Sequence, residues 1–188
     1  FVFFQASPRA ITTIEAEELM AMVPKGILNV ALVVDHTNKD VSFFARALPI
    51  DAIQLHGSDT PARVAEIKAL MGGGVQVFKA VAIATPEDVA LAHEYEKYCD
   101  WLLLDAKAPV DATRPGGNAI PFDWQLISNE TWEKPWLLAG GLSAKNVGNA
   151  IAITGASMVD VSSGVEDEQG VKKPTKIPVF LGAGEDGG

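Results

Sequence analysis

The chain has 188 residues, 48% of them apolar, enough for a sizeable core in one domain. Lys and Arg number 15 against 24 Asp and Glu, a formal net charge of -9, and so acidic a balance argues against nucleic acid or an anionic membrane surface as a partner. The single cysteine, Cys99, excludes an internal disulfide and points to a reducing cytoplasm, and no apolar run reaches the ~18 residues that span a membrane.

The predicted elements alternate between strand and helix. Residues 1–4, Phe-Val-Phe-Phe, form an aromatic and β-branched strand followed by a loop at Ser7-Pro8-Arg9. Thr12 or Thr13 caps a helix running to about residue 23, with Ile14, Leu19, Met20 and Val23 on its apolar positions. A strand at 29–34 precedes a helix at 38–47. A strand at 51–55 precedes a helix opened by Thr60-Pro61 and stopped at Gly72-Gly73-Gly74. The strand at 75–80 leads to a second Thr-Pro cap, Thr85-Pro86, whose helix reaches about Lys97. A strand at 100–104 is followed by a long loop containing Gly116-Gly117, a candidate lid, and a short helix at 122–127. A strand at 135–138 leads to a helix capped by Ser143 and running to about residue 153. A strand at 157–161 leads through a polar loop to a last helix at 176–181, with 182–188 as a disordered tail.

Seven short apolar strands in strict β-α order predict a parallel sheet covered on both faces, with right-handed crossovers. An open doubly wound sheet would carry its glycine fingerprint after the first strand. Here the glycine turns, Ala139-Gly140-Gly141-Leu142 and Val161-Ser162-Ser163-Gly164, follow the last two strands. Such a pair aims several backbone N–H groups at one phosphate, as after the seventh and eighth strands of many (β/α)8 barrels. The expected fold class is therefore α/β, a (β/α)8 TIM barrel forming one domain over residues 1–181. Seven of its strands are visible, and its first β/α unit, about 30 residues, is expected to be missing.

Six segments in order give the chain a family resemblance: Phe3-Phe4 with Ser7-Pro8-Arg9; Gln54-Leu55-His56-Gly57; Leu103-Leu104-Asp105-Ala106-Lys107; Gly116-Gly117 with Phe122-Asp123-Trp124; Leu138-Ala139-Gly140-Gly141-Leu142 with Asn146-Val147; and Val159-Asp160-Val161-Ser162-Ser163-Gly164-Val165-Glu166. They resemble phosphoribosylanthranilate isomerase, the barrel enzyme of tryptophan biosynthesis, over residues 1 to about 181. The resemblance implies an Amadori rearrangement of a phosphorylated small-molecule substrate, without metal or cofactor. A general acid protonates the ribose ring oxygen, the ring opens to an iminium, and a general base removes the C2 proton.

Asp105 is the expected acid, since it ends an apolar strand at the C-terminal rim and shares a face with Leu103 and Trp101. Desolvation and a bound phosphate would raise its carboxyl from the ordinary pKa of ~3.9. The plainer role is a cap for the following loop. By resemblance, Arg9 binds the anthranilate carboxylate, His56 lines the site wall, and Asp160 has an orienting or electrostatic role. From the residues alone, a solvated loop arginine, a structural histidine and a loop cap are the alternatives. The phosphate cradle falls on Gly140, Gly141, Leu142, Ser162, Ser163 and Gly164.

The chain departs from the family in several places. The family's general base is a cysteine in a Lys-Ile-Cys-Gly type segment, which this sequence does not contain. Cys99 precedes its strand, near the opposite rim and about 15 Å from the site, so it reads as a small buried hydrophobe. Lys172-Lys173 stands in place of Lys-Asp, and Asn118-Ala119 in place of Thr-Gly. By itself the stretch is expected to aggregate through its Phe-rich edge and to turn over no substrate. Other phosphate-binding barrels, such as indole-glycerol-phosphate synthase or ribulose-phosphate epimerase, and a non-catalytic sugar-phosphate binder remain as alternatives.

Overall fold

Helices begin where the sequence supplies a capping side chain. Thr12 accepts a hydrogen bond from the Glu15 amide, and the Glu15 carboxylate accepts one from the Thr12 amide, opening α1 (Thr13–Met20). The same reciprocal box, Thr37 with Asp40, opens α2 (Asn38–Ala47). Thr60 with Pro61 opens α3 (Pro61–Met71), and Thr85 with Pro86 and Asp88 opens α4 (Pro86–Tyr95). Gly72 ends α3 in the left-handed region at φ 60°. The structure, a computed structural model, describes residues 1–107 and 121–185. The expected lid at Gly116-Gly117, the Asn118-Ala119 departure and the tail residues 186–188 lie outside the described residues.

Five strands form one parallel sheet in sequence order: β1 (Val30–Val33), β2 (Ala52–Leu55), β3 (Gln76–Ile83), β4 (Trp101–Ala106) and β5 (Trp136–Leu138). The sheet continues at both sides as single parallel bridges, Val2 to Leu32 and Leu138 to Val159. All seven predicted strand positions therefore occur in order. The outermost two face one another across a hollow whose wall includes Val2 and Phe4 on one side and Asp160 and Val161 on the other. The sheet thus curls toward itself as a barrel wall. Strands β3 and β4 outrun their predicted ends because each supplies the other's partners, Ala82 opposite Asp105 and Ile83 opposite Ala106.

Side-chain alternation separates two apolar layers. Ile53, Leu55, Val77, Val81, Leu102 and Leu104 face the helices in the main core. Ala80, Leu103 and Ala139, with Leu137, form a smaller cluster apart from it, inside the curve of the sheet. Phe78 stacks on Trp101 at 5.2 Å within that inner layer. Cys99 is fully buried, and burial pushes its thiol up to about 11.

Three expectations need correction. Ser143 does not cap a helix. It opens a turn in which Asn146 Oδ1 accepts from the Ser143 amide, and α5 (Val147–Thr154) starts after that turn. The polar loop after residue 161 contains an antiparallel hairpin, β6 (Glu166–Glu168) with β7 (Val171–Lys172), because Gly170 adopts φ 87° and lets the chain reverse. The last helix, α6 (Lys176–Glu185), takes in residues 182–185, which were expected in the tail. Phe180 anchors it in the core, and Gly184 lies beside Ile151 of α5.

Candidate active site

Period-two alternation along β4 places Trp101, Leu103 and Asp105 toward the inside of the curve, so the apolar strand delivers one carboxylate to its C-terminal rim. Asp105 is 7% exposed. Its Oδ1 accepts from the Ala106 amide at 2.8 Å, and its Oδ2 lies 3.2 Å from His56 Nε2. His56 follows β2, and its Nδ1 is 3.1 Å from the side-chain oxygen of Gln54, two residues earlier. His56 thereby bridges Gln54 and Asp105 through its two ring nitrogens. Two hollows meet at this pair: one toward the glycine turns, the other lined by Asp35, Gly57, Ala80 and Lys107.

The glycine turns have a backbone that few other residues could adopt. Gly140 and Gly141 have φ 87° and 66°, conformations that L side chains rarely adopt. A Cβ on Gly140 would also strike the backbone and methyl of Ala106 and lie 2.9 Å from Asp105 Oδ1. The turn therefore packs directly on the strand end that bears the carboxylate. Asn146, a matched residue to which the sequence reading gave no role, donates from Nδ2 to the Gly141 carbonyl at 3.0 Å and clamps the turn. Gly140, Gly141, Leu142, Ser162 and Ser163 all line the first hollow. Gly164 is not on its wall, but a Cβ there would run into the Leu142 carbonyl, so its bareness lets the two turns touch.

Asp160 faces the same hollow. It is exposed there, yet nearby protein displaces enough water to push its carboxyl above the ordinary range, and the nearby Asp105 charge acts the same way. Arg9 lines the hollow as well, but its guanidinium is already engaged. Glu166 accepts from Nε at 2.6 Å and from Nη2 at 2.7 Å in a bidentate pair. Glu166 also accepts from Lys172 Nζ at 2.9 Å and from the Gly170 amide at 3.1 Å. Burial alone would raise the Glu166 carboxyl, but Arg9, Lys172 and the amide outweigh it and hold it at about 2. Lys172 in turn donates to the Ser162 carbonyl at 2.8 Å. The sequence reading missed the parts played by Glu166, Lys172 and Gln54. Glu166 closes a matched segment, Gln54 opens another, and Lys172 stands in a departure from the family, and these were the available signals.

Fold and placement define the class: a β/α-barrel protein with its polar groups gathered at the C-terminal rim of the strands. A family profile described as N-(5'phosphoribosyl)anthranilate (PRA) isomerase matches residues 1–183. The chain belongs to that family. It is 49% identical over 181 residues to N-(5'-phosphoribosyl)anthranilate isomerase of Paracoccus denitrificans, a match covering 96% of this chain and 83% of the relative. It is 46% identical to the Cereibacter sphaeroides enzyme over 96% of this chain and 84% of the relative. The crystal structure of phosphoribosyl anthranilate isomerase from Thermotoga maritima superposes with a TM-score of 0.85 at 29% identity, covering 99% of this chain and 86% of that one. A solved complex of such an isomerase with reduced 1-(o-carboxyphenylamino)-1-deoxyribulose 5-phosphate gives 0.81 at 28% identity, covering 99% and 86%.

Proposed function

We propose that this chain supplies the acid and the substrate-binding groups for the Amadori rearrangement of N-(5-phosphoribosyl)anthranilate to 1-(2-carboxyphenylamino)-1-deoxyribulose 5-phosphate, a step of tryptophan biosynthesis, the base cysteine of the family being absent from its 188 residues. One observation carries the reading: two touching backbone turns, the Asp105–His56 pair and Arg9 converge on a single hollow. The substrate phosphate lies against the amides of Gly140, Gly141, Leu142, Ser162 and Ser163, where bare backbone allows close approach. Arg9 takes the anthranilate carboxylate with the N–H donors that Glu166 leaves over, since a guanidinium has five and Glu166 uses two.

Asp105 donates a proton to the ribose ring oxygen, its carboxyl oriented by His56 Nε2 at 3.2 Å. Ring opening leaves a cationic iminium, which the carboxylates of Asp105 and Asp160 stabilise across the hollow. Loss of the C2 proton to a base gives the enolamine, and tautomerisation gives the ketone. Cys99 is not that base: it is buried, and its thiol is pushed up to about 11. A cytoplasmic setting fits the lone buried thiol, and among the described residues no helix is long and apolar enough to cross a membrane.

The test pairs two measurements on the full-length protein. Calorimetry reads binding of the reduced product analogue, and the fluorescence of the anthranilate substrate reads its depletion. The expected result is saturable binding opposed by inorganic phosphate, with turnover that Asp105→Asn abolishes while phosphate binding survives. Absence of analogue binding, or near-normal turnover in that variant, overturns the reading. Binding without turnover would instead leave a sugar-phosphate binder.

A further inference from the structure

Glu166 does not line the hollow, yet it is the most heavily engaged carboxylate at the rim. Its side chain is 4% exposed and is held by the fork of Arg9, by Lys172 and by the Gly170 amide. The hairpin that carries it is fitted against the Arg9 loop. A Cβ on Gly170 would sit 2.6 Å from the Pro8 carbonyl, so only glycine permits that approach. On its other side Lys172 reaches the Ser162 carbonyl at 2.8 Å and the Ser162 hydroxyl at 3.2 Å, on the second glycine turn. One buried carboxylate therefore links the loop after the first strand position to the cradle after the last. Within this cluster the two cations, Arg9 and Lys172, exceed the one anion, Glu166.

We propose that Glu166 is a positioning residue. It fixes the Arg9 fork so that the unused N–H edge meets the substrate carboxylate, and through Lys172 it keeps this edge in register with the phosphate turn. The proposal rests on the reading that Arg9 binds the anthranilate carboxylate. A planar fork held on two donors has one orientation, whereas an arginine without its partner samples many rotamers, so its alignment with a ligand carboxylate is lost. Arg9 and Glu166 stand 157 positions apart, so the contact is made only by the folded barrel.

The experiment uses the full-length protein and three ligands measured by calorimetry: the reduced product analogue, the same compound without its ring carboxylate, and inorganic phosphate. In the wild type the carboxylate is expected to strengthen binding by about tenfold, the contribution of one charge-assisted pair. Glu166→Gln is expected to erase most of that preference while changing the affinity of the carboxylate-free compound less than twofold. Equal weakening of all three ligands would mean that Glu166 only supports the loop, and it would overturn the proposal. So would a wild-type preference in the variant. If Arg9→Ala leaves the preference intact, the reading of Arg9 itself fails. If Arg9→Ala removes the preference and Glu166→Gln does not, the positioning proposal alone fails. Should Glu166→Gln not fold, Glu166→Asp, too short to hold both donors, is expected to lose the preference in the same way, and retention there overturns the proposal.

Discussion

The two ends of β4 carry an aspartate each, and the fold treats them in opposite ways. Asp100, just before the strand, is 2.8 Å from Lys68 Nζ and accepts from the Val77 amide at 2.9 Å. Burial opposes its charge, but those two bonds outweigh it and hold its carboxyl below the ordinary range. Asp105, in the last turn of the same strand, faces a histidine and a second carboxylate across an open hollow. One aspartate is neutralised within the protein. The other is left with interactions that a ligand can complete. Glycines divide in the same way: Gly140 abuts Ala106 and Asp105, whereas Gly155, at φ 69° at the other rim, has open space around its missing Cβ. Chemistry is concentrated where partners are withheld, and stability where they are supplied.

The contrast is open to direct attack. The largest effect is expected from Asp105→Asn, which should lower kcat by about 100- to 10,000-fold, the range for a lost general acid. Asp100→Asn should leave kcat within about twofold, because that end of the strand serves only the fold. Comparable losses in both variants would erase the distinction. Gly140→Ala should rank next. Besides the left-handed strain of about 1–2 kcal/mol, its methyl displaces the end of β4, so kcat/KM should fall by about tenfold or more. Gly155→Ala, strained but unobstructed, should show only the melting-temperature loss.

A smaller effect is expected for Asp100→Asn on stability. About 1 kcal/mol is lost with a partly exposed ion pair and one amide bond, read as a drop of about 2–4 °C in melting temperature. The smallest concerns His93, at the far rim, which lies 2.8 Å from Glu96, 2.9 Å from Glu130 and stacks on Trp132 at 4.2 Å. Burial opposes its protonation, but the two glutamates outweigh it and raise its pKa. A raised histidine contributes stability that is fully present below the ordinary value of about 6.5 and is lost as pH rises through the folded value. Urea midpoints measured from pH 5.5 to 8.5 should therefore fall across that window in the wild type. The fall should flatten by about 0.5 kcal/mol in His93→Gln. An unchanged slope in the variant would remove His93 from the account.

Local chemistry was legible in the residues. Thr12, Thr60 and Thr85 open helices because a hydroxyl and an amide three residues later are neighbours under any tertiary arrangement, and the structure adds Thr37 on the same ground. Asp105 was legible as a rim group because strand alternation and the end of an apolar run are local properties. The expected Ser143 cap does not form, because Asn146 Oδ1 takes the Ser143 amide and hydroxyl while its Nδ2 holds the Gly141 carbonyl, a contact that only the packed turn reveals. The end of α6 was hidden because Gly182 and Gly184 are poor helix formers in isolation, and contact with α5 overrides that preference.

The residues by themselves determined the β-α alternation, the parallel sheet and the placing of glycine turns after the last strands. Each depends on capping, periodicity and backbone freedom over a few neighbouring positions. Tertiary structure alone decided that His56 meets Asp105, that Glu166 grips Arg9 and Lys172, and that Asp160 shares one hollow with His56, Asp105 and Arg9. Those meetings join strand ends that are distant in the chain, and they are set by how far the sheet curls and in what register its strands pair.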